Sequence, residues 1–191
     1  MSEQIEIKLP LVAVDVILEN EGNILMAERK NSPKGWALPG GFVELGEDPL
    51  EAARRELCEE TRIKGTDLKF FNAYGCPSRD PRTHVVSLVY QCTPYTLATL
   101  RAASDALSVA FYHPDELPED VVFDHRQIIE DYVNHKEYQQ KLNKELDRME
   151  YLEDRDAWLN HLEGYGIDNA SAYEEASRSW DWENNEPKEE V

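Results

Sequence analysis

The stretch that decides the fold is GFVELGEDPLEAARRELCEETRI, residues 41–63. Its second half has helical periodicity, with Asp48 suited to the N-cap, Pro49 to the first helical position, and Leu50, Ala53 and Leu57 spaced to face a core. The spacing predicts a helix over 48–61. Glu56, Glu59 and Glu60 then stand at i, i+3 and i+4, so three carboxylates share one helical face. Like charges at that spacing oppose each other by a few tenths of a kcal/mol per exposed pair. An ordinary solvated face would intersperse lysines. Clustered hard oxygens beside the Gly40-Gly41 loop instead suit Mg²⁺ or Mn²⁺, which prefer carboxylate, carbonyl and water ligands.

Outward from this helix the chain alternates strands and helices. Residues 9–19 are β-branched and aliphatic and predict a strand, followed by a four-residue turn at Asn20–Asn23 and a second strand over Ile24–Glu28. Residues 30–41, rich in Pro and Gly, predict a loop carrying one short strand. Further strands are expected near Leu68–Gly75, His84–Gln91 and Leu107–His113, and a helix from Asp124 onward, with Asp124-His125 capping it. Tyr138, Leu142, Leu146 and Met149 recur three or four apart and predict an amphipathic continuation. Two parts are expected: a domain over 1–136 and an acidic helical extension over 137–191, its last dozen residues disordered.

The 191 residues carry a formal charge of −19. Residues 137–191 alone hold six basic and sixteen acidic residues, a net −10. Such a molecule repels nucleic-acid phosphate at long range, which argues against DNA as a partner. A small anionic substrate stays compatible, because bound divalent cations reverse the local field. Three cysteines without a C-x-x-C pair argue against a disulfide framework or zinc site. No apolar run reaches membrane-spanning length and the N-terminus has no signal-peptide core, so a cytoplasmic location without membrane partners is expected.

Residues 41–63 resemble the Nudix signature, Gly-x5-Glu-x7-Arg-Glu-U-x-Glu-Glu-x-Gly-U, where U is a bulky aliphatic residue. Gly41, Glu47, Arg55, Glu56, Leu57, Glu59, Glu60 and Ile63 fall in register. Arg62 departs, standing where the pattern has glycine; Gly65 is the residue expected to cap the helix a little later. The resemblance implies an α/β fold, a mixed β-sheet sandwiched between helices, with the helical extension added. It implies that the Gly40 carbonyl, Glu56 and Glu60 hold the metal, that Glu59 completes the cluster, and that Arg55 orients a carboxylate with Glu47. Glu56 is the first candidate for the general base, with Asp105 or the Asp115-Glu116 region second.

WALPGGFVELGE at 36–47, SRDPRTHVVSLVY at 78–90 and FDHRQII at 123–129 are similar to the ADP-ribose pyrophosphatase branch of that superfamily. This implies ADP-ribose as substrate, cleaved to AMP and ribose 5-phosphate with Mg²⁺ or Mn²⁺, and a possible homodimer. Arg29, Arg79 and Arg82 are candidates for phosphate or ribose contacts, arginine offering a forked donor set, and Trp36 for stacking on adenine. Two alternatives stand beside this. One is a Nudix hydrolase of another nucleotide (a triphosphate, a dinucleotide or a capped RNA end). The other is a non-catalytic ADP-ribose sensor, against which the intact glutamates and acidic extension argue.

Overall fold

The computed structural model describes residues 9–64, 67–92, 97–103, 106–164, 180–181 and 186–187. Two compact units are present, residues 1–137 and 138–191. The first holds strands β1 (Leu11–Asn20), β2 (Asn23–Arg29), β3 (Trp36–Ala37), β4 (Gly40–Phe42), β5 (Lys69–Tyr74), β6 (Val85–Cys92) and β7 (Ala106–Tyr112). It also holds helix α1 (Pro49–Thr61), a short 3-10 turn at Pro114–Glu116, and the start of α2 (His125–Gly164). In the second unit, the rest of α2 is accompanied by an antiparallel pair, β8 (Trp180–Asp181) and β9 (Glu186–Pro187). Among the described residues no helix is long and apolar enough to cross a membrane. The disorder expected of the last dozen residues concerns a stretch of which only 180–181 and 186–187 are described.

β1 organises the first unit. It runs parallel to β6, antiparallel to β4, and through a hairpin antiparallel to β2; β6 pairs with β5, and β2 with β3 and β7. The sheet is therefore mixed. The hairpin loop is tighter than the four residues expected, because Asn20 pairs with Asn23 and only Glu21 and Gly22 turn the chain. Both have positive φ, 50° and 81°, the twist that suits a two-residue connection between right-twisted strands.

Side chains alternate across a strand, and both faces of β1 are covered, which explains its unbroken apolar reading. Val14, Val16 and Leu18 pack with Ala52, Ala53 and Leu57 of α1. Ile17 packs on the other side with Ile128, Ile129 and Tyr132 of α2. Asp15 is the polar exception among the buried residues of this strand. The helix of residues 48–61 forms with the expected cap: Asp48 accepts a 2.9 Å hydrogen bond from Leu50 N–H.

Arg62, standing where the pattern has glycine, ends the helix. It takes up the left-handed conformation itself, at φ 63° and ψ 10°, and donates its N–H to Cys58 O. Gly65, expected to cap the helix, lies outside the described residues. The segment after β6 closes the helix end. Ala103 and Arg101 N–H groups donate to the carbonyls of Glu60 and Thr61, and Thr99 Oγ1 donates to Arg62 O. Terminal carbonyls that α1 leaves open are satisfied from elsewhere in the chain.

Candidate active site

Two glycines bring α1 against the sheet. β4 pairs with β1 so that Gly40 lies opposite Asp15 and Gly41 opposite Val14. A Cβ on Gly40 would meet Val14 O at 2.2 Å, and one on Gly41 would meet Glu56 Oε1 at 2.3 Å. The Glu56 carboxylate thus lies directly on backbone, a position that any side chain at residue 41 would contest.

Glu56, Glu60, Gly40 and Gly41 line one cleft of about 400 Å³. Glu60 Oε2 accepts the Gly40 N–H at 3.2 Å. Burial pushes the Glu60 carboxyl up to about 8, with neighbouring Glu56 adding to the effect. Burial also raises Glu56, against the opposing pull of Arg55. Arg55 is the hub beside them. Its Nε and Nη2 donate to the two oxygens of Glu47, each at 2.8 Å, and its Nη1 donates to Glu56 Oε1 at 2.7 Å. The Arg55 fork holds the Glu47 carboxyl down at about 2. Glu59 stands apart: its side chain is half exposed, 3.7 Å from Arg55 Nη1, and it is absent from the cleft wall.

Among the described residues no group of three His, Cys, Asp or Glu is drawn together as a ready-made ion cage. The two inward carboxylates nonetheless fit a small divalent cation. They are hard oxygen donors, and burial raises both carboxyls, so a cation placed between them would favour their charged form. Magnesium in particular takes one or two carboxylates and keeps several waters.

The opposite chemistry comes from three arginines. Arg29 follows a register shift in β2, and its Nε donates to Pro33 O at 2.9 Å. Burial, then the neighbouring Arg82 guanidinium, lowers its affinity for a proton. Arg82 forks onto Asp80 at 3.0 and 2.7 Å. Arg79 lies in the same wall but is spent inside the protein, its side chain only 4% exposed. It donates to Asp124 at 2.9 and 2.7 Å and to Asp15 at 3.3 Å. Asp15 also accepts from Ser87 Oγ at 2.5 Å and faces His125 Nε2 at 3.5 Å. Burial pushes the Asp15 carboxyl up, but His125 and Arg79 outweigh it and leave it at about 2.

Trp36 is not in the cleft wall. Adjacent strand residues point to opposite faces, so Ala37 lines the cleft while Trp36 packs edge-on to Tyr112 at 5.0 Å. Asp115 accompanies His113 at 3.5 Å, and neither it nor Glu116 lines the cleft. Asp105 lies outside the described residues. Asp124 stands at the start of α2, its carbonyl accepting Ile128 N–H at 3.0 Å, but the side chains bond over long range: the Asp124 carboxylate goes to Arg79, and His125 Nδ1 accepts Leu38 N–H at 2.8 Å. Sequence reasoning missed Asp15 and Phe123. A lone aspartate within LVAVDVIL was a usable signal for the first; no pattern marks the second.

A family model for the NUDIX domain matches residues 9–132. A second model, for the phage T7 gp5.9 RecBCD inhibitor, matches residues 133–187. The chain is 44% identical over 129 residues to an ADP-ribose pyrophosphatase of Methanocaldococcus jannaschii, covering 66% of this chain and 75% of that protein. It is 30% identical over 134 residues to the ADPR responsive transcriptional repressor NtrR of Acinetobacter baylyi, spanning about half (52%) of that relative's length. A similar solved structure is a bifunctional NMN adenylyltransferase/ADP ribose pyrophosphatase of Francisella tularensis, complexed with AMP and manganese. There the TM-score is 0.57 at 31% identity, over 68% of this chain and 42% of that one. The chain belongs to the Nudix hydrolase family.

Proposed function

We propose that this chain is a metal-dependent ADP-ribose pyrophosphatase, converting ADP-ribose and water to AMP and ribose 5-phosphate. The observation that carries the reading is one cleft with two polarities: Glu56 and Glu60 at the Gly40-Gly41 backbone, Arg29 and Arg82 in the same wall. Similarity to the Methanocaldococcus jannaschii ADP-ribose pyrophosphatase supports the choice of substrate.

Glu56, Glu60 and the Gly40 backbone would hold Mg²⁺ or Mn²⁺, with Glu59 within reach of the same helical turn through water. When bound, the cation neutralises diphosphate charge and makes water a better nucleophile. Arg55 fixes the Glu56 carboxylate, which takes a proton from the attacking water as oxygen bonds to phosphorus and the bridging P–O bond breaks. Arg29 and Arg82 take phosphate oxygens, while Arg79 positions the 78–83 loop from inside. Incubation with ADP-ribose and magnesium, with chromatography of the products, tests the assignment. AMP and ribose 5-phosphate in equal amounts are expected, and a preference for a nucleoside triphosphate would overturn it. Specific ADP-ribose binding without turnover would favour the sensor.

A second reading belongs to the C-terminal unit alone. Its match to the phage T7 gp5.9 RecBCD inhibitor model and the −10 charge of residues 137–191 support a docking role on the basic nucleic-acid-binding surface of a DNA-processing enzyme. Tyr138, Leu142, Leu146 and Met149 are exposed along its helix. Inhibition of RecBCD nuclease by the full chain, but not by a chain ending at residue 137, is expected; equal behaviour of the two would remove this reading.

A further inference from the structure

Phe123 lines the cleft with its φ at 60°, in the left-handed region that a bulky residue adopts only where its surroundings impose it. Those surroundings grip the chain on both sides. Before it, Trp36 N–H donates to Asp120 O and Val122 N–H donates to Trp36 O. After it, Arg79 holds the Asp124 carboxylate and Leu38 N–H holds His125. The ring is thereby fixed at the wall.

Two guanidinium groups lie over that ring, Arg29 at 5.1 Å from its centroid and Arg82 at 5.4 Å. Among the described residues no carboxylate comes within ion-pair distance of Arg29, whose Nε is bonded only to a backbone carbonyl. A half-buried cation beside a second cation opposes itself electrostatically. Such a pair is an anion receptor held ready, and an aromatic face is the surface on which guanidinium groups settle without losing their donors.

We propose that Phe123 is a positioning residue for substrate: its ring fixes Arg29 and Arg82 as a pair, so that the guanidinium donors not engaged by Pro33 O and Asp80 receive the non-bridging oxygens of a diphosphate. This rests on the reading of the cleft as a diphosphate site and deepens it. A ring engaged by two guanidinium groups is not the platform for the base, so Phe123 governs recognition of the diphosphate and not of the nucleobase.

Phe123→Leu keeps apolar bulk and meets the same backbone demand, since both residues lack β-branching, but it removes the π face. Phe123→Trp restores that face. Calorimetric titration in magnesium with two probes, methylenediphosphonate and adenosine, separates the possibilities. The Leu variant is expected to bind methylenediphosphonate about tenfold more weakly, the loss of two partly desolvated cation–π contacts, with adenosine affinity unchanged. The Trp variant should stay within about twofold of wild type, and in an Arg29→Gln background Phe123→Leu should cost only about threefold, the share of the remaining Arg82 contact. In turnover of whichever nucleotide the chain cleaves, KM should rise about tenfold with kcat nearly constant.

Loss of adenosine affinity with diphosphonate affinity kept would overturn the proposal. So would unchanged affinity for both probes in the Leu variant, or failure of the wild type to bind methylenediphosphonate. Should ADP-ribose prove inert while the diphosphonate pattern holds, the substrate assignment falls and the role of Phe123 stands.

Discussion

Replacing Arg79 by methionine separates an internal role from a substrate-binding one. The Arg79 side chain is 4% exposed and sits between Asp15 and Asp124, whose own side chains are 9% and 21% exposed. Methionine fills similar volume, so cavity formation contributes little and the loss is electrostatic. Breaking a buried ion pair from one side costs about 3–5 kcal/mol, because the remaining charge is left uncompensated. Asp124 retains some solvent and Asp15 retains Ser87 and His125, so the expected loss is at the lower end, about 3 kcal/mol. That is a large share of the roughly 5–15 kcal/mol stabilising a typical domain.

The same substitution changes the response to acid. Asp15 sits at about 2, below the ordinary 3.8. A depressed carboxyl contributes stability that is fully present above its unfolded value and is lost as pH falls through its folded one. For Asp15 that contribution is about 2 kcal/mol, lost between about pH 4 and 2. Without Arg79 the guanidinium that opposes burial disappears and the Asp15 carboxyl moves upward, so acid unfolding should begin at higher pH. Urea unfolding followed by tryptophan fluorescence, at pH 7 and at pH 4, measures both effects. Unfolding free energy within 1 kcal/mol of wild type, combined with a sharply raised KM, would refute the internal assignment and place Arg79 on the substrate.

Glu56→Gln should lower turnover by at least about 10²-fold while unfolding remains unchanged or improves, since it removes a proton acceptor and a metal donor; near-normal kcat in a folded variant would exclude Glu56 from the chemistry. Gly41→Ala should abolish most activity with the fold retained, because the new methyl displaces the Glu56 carboxylate now 2.3 Å from its position; kcat would report it. Arg62→Gly should raise stability by about 0.5–1 kcal/mol, relieving a left-handed conformation at φ 63°, and a lower melting temperature would contradict this account. Chelation should eliminate turnover reversibly, with magnesium or manganese restoring it; full activity after exhaustive chelation would remove the metal from the mechanism.

Features resting on local periodicity were legible in the residues themselves. The helix of 48–61, its Asp48 cap, the common face of Glu56 and Glu60, and the mixed α/β order follow from spacings of two, three and four residues, which backbone geometry converts directly into faces. The division of labour among the arginines was not. Arg79 and Arg82 lie three apart in one loop with the same chemistry, yet Arg79 finds Asp15 and Asp124, 64 and 45 residues away, while Arg82 forks onto adjacent Asp80 and reaches Phe123. Whether Trp36 or Ala37 meets the cleft turned on which face of β3 the core covered, and Glu59 stands half exposed beside Arg55, outside the wall. Partners chosen across such distances are set by packing of whole elements, and only the assembled tertiary structure decides them.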